Sequence, residues 1–154
     1  MTDQSATLIG WREWAALPLL GIDAIKVKVD TGARTSALHA FEVHTFFRQQ
    51  VEWVRFRLHP LQHNSDREVV CECPVLDRRQ VTDSGGHREQ RVLIRTEVMI
   101  GTHRWPIDIT LTDRETMRFR MLLGRTALPG FLVDASCSYL ISESRQGTVS
   151  GASV

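Results

Sequence analysis

The chain has 154 residues, enough for one domain with a sizeable core and too few for two. Apolar residues make up 42% and charged residues 24%, the ordinary mix of a globular protein, and a formal net charge of +1 gives no overall field for holding nucleic acid. No run approaches the roughly 18 apolar residues of a membrane span, no basic-then-apolar leader opens the chain, and Cys71, Cys73 and Cys137 form no disulfide framework, so a reducing cytoplasm is expected.

In chain order, residues 1–7 are polar and predict a flexible N-terminus. Leu8 to Leu20 is tryptophan-rich and ends at Pro18 and Gly21; it fits strand and turn or a short helix, with strand and turn favoured. Ile25 to Asp30 alternates Ile25, Val27 and Val29 with Lys26, Lys28 and Asp30, the two-residue period of a half-buried strand. Ser36 to His44 reads as a strand leaving the following loop, and Val51 to Leu58 alternates again before His59-Pro60 ends it. Residues 60–68 read as a loop, and Val69 to Val75 as a short strand. Arg78 to Arg95 predicts a hairpin with Ser84-Gly85-Gly86 at its tip, whose return strand places Val92, Ile94, Thr96, Val98 and Ile100 on one face. Trp105 to Leu111 and Met117 to Leu123 alternate likewise. Thr126 to Leu128 is a helical turn stopped by Pro129-Gly130, and Phe131 to Ile141 contains a last strand. Residues 143–154, rich in Ser and Gly, predict a flexible tail, leaving 8–142 as the folded domain. Many short alternating strands with little helical pattern argue an all-β barrel.

The stretch IKVKVDTGARTSALHA carries the chemistry. Asp30-Thr31-Gly32-Ala33 puts a carboxylate on a tight glycine turn at the end of a buried strand, a rigid place for a catalytic acid; the same tripeptide also serves as an ordinary turn. A second stretch, Met121 to Leu128 (MLLGRTAL), runs an apolar strand into Gly124-Arg125. Together they resemble the retropepsin-like aspartic peptidases. Gly10-Trp11-Arg12-Glu13-Trp14, Leu17-Pro18, DTGARTSALHA, Arg78, Val81, Ser84-Gly85, Arg91, MLLGRTAL and Val133-Asp134 resemble, in order, one family in particular. It is the family labelled ATP-dependent zinc proteases, the RimB-type proteins linked to ATP-grasp glutamate ligases of ribosomal modification.

The resemblance implies a small closed retropepsin-like β-barrel with one short C-terminal helix. It implies catalysis by Asp30, Thr31 and Gly32, with Gly124 and Arg125 supporting the catalytic loop from behind. Such enzymes hydrolyse amides with two carboxylates about 3 Å apart that share one proton. One loop per chain then requires a homodimer, Asp30 facing Asp30 across a two-fold axis. Asp83-Ser84-Gly85 has a similar spelling but lies in a polar hairpin and reads as a turn. The hairpin is the candidate flap, a surface hairpin being the alternative.

Retropepsins often pair the Gly-Arg arginine with an acid two residues after the loop glycine; Arg34 stands there, so Arg125 must find another partner. Candidate substrate contacts are Ala33, Arg34, His39, Arg78, Ser84, Gly85, Arg88 and Arg91, with a core role open for His39. The arginines suit an acidic, glutamate-tailed substrate, possible from a ribosomal protein, unless they form a solvated face. His59, His63, Cys71 and Cys73 are the one zinc-like cluster, and small buried cysteines explain half of it. No phosphate-binding loop is present, so no cofactor is expected. The competing readings are a non-catalytic module that binds acidic tails and a zinc peptidase.

Overall fold

The computed structural model describes residues 6–61, 68–82, 85–113 and 118–142. Their strands are β1 (Thr7–Gly10), β2 (Arg12–Leu17), β3 (Ile22–Asp30), β4 (Ser36–His39), β5 (Phe41–Arg48), β6 (Val51–Leu58), β7 (Val69–Pro74), β8 (Asp77–Thr82), β9 (Arg88–Ile100), β10 (His103–Thr112), β11 (Met121–Gly124) and β12 (Phe131–Asp134). The fold is all-β, and the helical content of the described residues is two single 3₁₀ turns, Pro18–Leu20 and Arg125–Ala127. No helix among the described residues is long and apolar enough to cross a membrane.

Six strands close on themselves in the order β10, β4, β11, β3, β2, β9 and back to β10. The β2–β9 seam is bridged by Ala16 and Met99. Closure removes free edges from the ring. The alternation in the sequence explains which face points inward: Ile25, Val27 and Val29 are buried with Leu38, Ile109, Met121 and Leu123. A three-stranded sheet, β5–β6–β7, packs Val54, Phe56, Leu58 and Cys71 onto the same core. Burying a side chain the size of Phe56 contributes about 3 kcal/mol. β8 extends the barrel sheet beyond β9, and β1 pairs in parallel with β12 as a separate ribbon.

The predicted elements shift in instructive ways. The expected strand from Ser36 to His44 breaks at Ala40, because β4 belongs to the barrel and β5 to the second sheet. The change of sheet uses a positive φ of 50° at Glu42 and a register shift between Phe41 and His44. The short C-terminal helix is only the three-residue turn Arg125–Ala127, one residue earlier than expected. The strand expected from Met117 begins at Met121, and Met117 itself lies outside the described residues. The expectations for residues 1–5 and 143–154 also lie outside them. In β9 Leu93 and Ile94 are both buried, at 1% and 0%, while Val92 is only half-buried. One of the two faces the barrel interior and the other the opposite side, beneath β8.

A buried acid joins the two ends of the domain. Glu13 is 0% exposed. Its carboxylate accepts from Gly10 N–H at 2.7 Å, Leu140 N–H at 2.9 Å, Ser142 N–H at 3.1 Å and Ser142 Oγ at 2.6 Å. A buried charge persists only when its lone pairs are satisfied in this way.

Candidate active site

β3 ends at Asp30, half-buried at the rim of the barrel. The chain then turns sharply: Ala33 N–H donates to Asp30 O at 3.1 Å, and Gly32 N–H donates to the carboxylate Oδ1 at 3.1 Å. A Cβ on Gly32 would stand 3.3 Å from that oxygen, which a larger residue would crowd. Thr31 is exposed beside it. The acid is thus oriented by its own loop, with one lone pair committed to a backbone donor.

Gly124 and Arg125 pack behind this loop. β11 runs parallel to β3, with Gly124 level with Asp30. Gly124 N–H donates to the buried Ser36 Oγ at 3.0 Å. A Cβ at Gly124 would come within 2.6 Å of the Thr35 carbonyl carbon and 3.0 Å of Ala33 O, so only glycine fits. Arg125 N–H donates to Ala33 O at 2.8 Å, and Thr126 Oγ1 donates to Arg34 O at 2.6 Å. With Arg34 in place of the usual acid, the Arg125 guanidinium turns to a backbone acceptor, Gly32 O at 3.3 Å. Trp105 Nε1 donates to Ala127 O at 2.9 Å and anchors the turn that carries these groups.

The hairpin is β8–β9, in register from Asp77 opposite Leu93 to Thr82 opposite Arg88. Its arm reaches the catalytic loop: Arg79 Nη1 donates to Thr35 Oγ1 at 3.3 Å. Gly85 and Arg88 are exposed near its tip, while Ser84 lies outside the described residues. Three of the predicted substrate contacts have neighbours of their own. Arg78 grips Glu52 with both terminal nitrogens, at 2.8 Å and 2.5 Å, and its guanidinium holds that carboxyl below the usual range. Arg91 is 8% exposed, with Nε 3.3 Å from Glu89 Oε1 but without the angle for a hydrogen bond. His39 is 2% exposed on β4, opposite Thr112, with its ring 6.4 Å from Phe41. Charge and position in the sequence do not reveal such neighbours across the fold. Arg34 keeps an exposed side chain at the loop.

The zinc-like cluster does not assemble as a metal centre among the described residues, where no group of three His, Cys, Asp or Glu side chains could hold an ion. His63 lies outside them. His59 stacks on Phe41 at 4.7 Å and faces Glu68, and Cys71 Sγ donates to Leu20 O at 3.4 Å. Burial, then the neighbouring Cys73, pushes the Cys71 thiol up to about 12, and burial pushes Cys73 up to about 11.

Lys28 and Arg12 are residues that the sequence reading passed over as candidates. The signal was available in the alternation of β3, which puts Lys28 on the face of Asp30.

Comparison with known proteins adds three findings. A family model described as RimB-like, retropepsin-like aspartic endopeptidase RimB, matches residues 8–144. A probable alpha-L-glutamate ligase of Parasynechococcus marenigrum is 46% identical over 142 residues, which cover 90% of this chain and 30% of that protein. One of Shewanella halifaxensis is 44% identical over 137 residues, 88% of this chain and again 30% of the relative. The chain therefore spans about a third of the length of these curated relatives. A solved Legionella pneumophila protein of unknown function superposes with a TM-score of 0.75 at 21% identity, covering 89% of this chain and 99% of that one. At that identity the likeness speaks for the fold alone.

Proposed function

The chain belongs to the RimB-like family of retropepsin-like aspartic endopeptidases, and from that premise we propose that it is an aspartic-type peptidase that cleaves acidic, glutamate-tailed protein substrates. The observation that carries the reading is the Asp30 loop: a carboxylate at the end of a buried strand, fixed by Gly32 N–H and braced by Gly124 to Thr126. A single acid per chain cannot share a proton with itself, so two copies bring their Asp30 side chains together. The pair titrates as a unit. Its ionised member takes a proton from the attacking water, and its protonated member polarises the scissile carbonyl and then helps protonate the leaving amine. Flap closure by β8–β9 positions the peptide and excludes bulk water. The terminal ribbon offers an apolar surface to a second copy, since Leu8 and Leu132 are paired in register and exposed at 52% and 58%.

Asp30→Asn is the test. Hydrolysis of an oligoglutamate-tailed protein should fall by about 10³-fold or more. In an equal, freely exchanging mixture with wild type, about a quarter of dimers keep both acids, so activity should fall below the half expected of independent subunits. Full activity in a monodisperse monomer would refute the shared dyad. One observation favours a second reading, a non-catalytic module that presents acidic tails: relatives three times as long carry the name of a glutamate ligase. On that reading wild type and Asp30→Asn bind the tail alike and neither cleaves it.

A further inference from the structure

Alternation along β3 sends Ile25, Val27 and Val29 inward and turns Lys28 to the same outer face as Asp30. Two residues along a strand put their Cα atoms about 7 Å apart. Across the sheet Lys28 stands opposite Arg12 on β2 and Leu122 on β11, and Leu122 stands opposite Ala37 on β4. Directly paired residues share a face. One row beneath the acid therefore reads Arg12, Lys28, Leu122, Ala37, two cations followed by two small or apolar side chains.

Four other cations of the barrel surface are engaged. Lys26 lies 5.2 Å from the Trp14 ring. Arg12 lies between Trp11 at 4.6 Å and Tyr139 at 5.2 Å, with Nε donating to Ser138 Oγ at 3.0 Å. Arg95 and Arg104 pair with Asp108 and Glu97. Lys28 is exposed, and no carboxylate among the described residues pairs with it. Two residues before Leu122, Arg120 carries a buried Nε without a hydrogen-bond acceptor. Trp11, whose carbonyl accepts from Val29 N–H at 2.8 Å, meets Phe119 edge to face at 6.0 Å and walls this row on one side.

We propose that Lys28 is a specificity-determining residue, its ammonium taking the side-chain carboxylate of a substrate residue that lies beside Asp30. The inference rests on the peptidase reading above for the identity of the site, and it moves the recognition of acidity from the flap arginines to the outer face of β3. The fixed Arg12 guanidinium adds to the same positive field. An ammonium on a four-carbon stem is a mobile point charge with three donors, suited to carboxylates presented at more than one angle. Cover from the flap would strengthen the contact by displacing water. A glutamine of the same shape would present no charge to it.

The test compares a fluorescent oligoglutamate peptide with its oligoglutamine counterpart, in binding and in hydrolysis, for the full chain and for Lys28→Met, Lys28→Arg and Lys28→Glu. Lys28 projects from the barrel, so these variants should fold, with thermal melting as the control. Wild type should prefer glutamate in both Kd and kcat/KM. Lys28→Met should lower that preference about tenfold, as expected for one charge-assisted contact; Lys28→Arg should retain most of it, and Lys28→Glu should abolish or reverse it. A Lys28→Glu protein that discriminates as wild type does would overturn the proposal even if hydrolysis is intact. A wild type that cleaves neither peptide, yet loses its binding preference in Lys28→Glu, would uphold the proposal while refuting the peptidase. Failure of wild type to prefer either peptide would overturn it as well.

Discussion

The Asp30 loop and the β8–β9 hairpin meet at Thr35 and Arg79 and are built in opposite ways. The loop is braced from within and behind by Gly32 N–H, Ser36 Oγ, Arg125 N–H and Thr126 Oγ1, and the Ser36 contact is buried. The hairpin arm β8 is exposed at nearly every position and is held by its ladder to β9, the Arg78–Glu52 pair and one long contact from Arg79 to Thr35. Stability is unevenly distributed in proteins, and mobile covers come from its low end. The difference teaches a division of labour on the peptidase reading: the acid is fixed before substrate arrives, and the cover over it remains free to respond.

The sharpest way to break that contrast is Gly124→Val. The new side chain meets Thr35 and Ala33 backbone within 3 Å, so the loop must move. We expect a loss of about 3 kcal/mol in chemical denaturation and peptidase activity below detection. Glu13→Ala attacks the frame rather than the loop. It strips the acceptor from Gly10, Leu140 and Ser142, and should cost about 3 kcal/mol with a lesser loss of activity in the protein that remains folded. Ser36→Ala removes only the partner of the Gly124 N–H, and should cost about 1–2 kcal/mol and lower kcat more than it raises KM. Stability unchanged in all three would mean that the loop is not over-determined.

The hairpin should respond through binding instead. Arg78→Ala breaks an exposed pair and should leave stability almost unchanged, yet raise KM several-fold because the arm loses its strut. Acid should act on the same strut. Hydrogen bonding to Arg78 holds the Glu52 carboxyl below the usual glutamate range. A lowered carboxylate contributes stability above its unfolded pKa and loses it as pH falls through the folded value. Amide protection in β8, measured against the intrinsic exchange rate at each pH, should therefore fall on acidification through the carboxylate range while the β3–β4 loop stays protected. Equal responses in both segments would erase the distinction drawn between them.

Local pattern made the loop and the barrel readable. Alternation marked β3, β6, β9 and β10, and the Asp30 turn and the Gly124 stretch were recognisable because each depends on neighbours in sequence. What escaped depends on partners far along the chain. Arg78 looked available until Glu52, 26 residues earlier, filled its fork. Glu13 was legible only as part of the Gly10–Trp14 motif, and all its donors but Gly10 N–H lie 127 to 129 residues away. The break at Ala40 was hidden because both halves alternate and only the sheet to which each pairs tells them apart. Lys28 was visible but unvalued, since an exposed lysine has meaning only beside the row that Arg12 and Leu122 form.

Glu13 also makes the two ends of the domain one unit. Gly10 donates to its carboxylate from one side and Leu140 and Ser142 from the other. A disturbance at residues 140–142 is thereby felt at β2, and through the β2–β3 ladder at the strand that ends in Asp30.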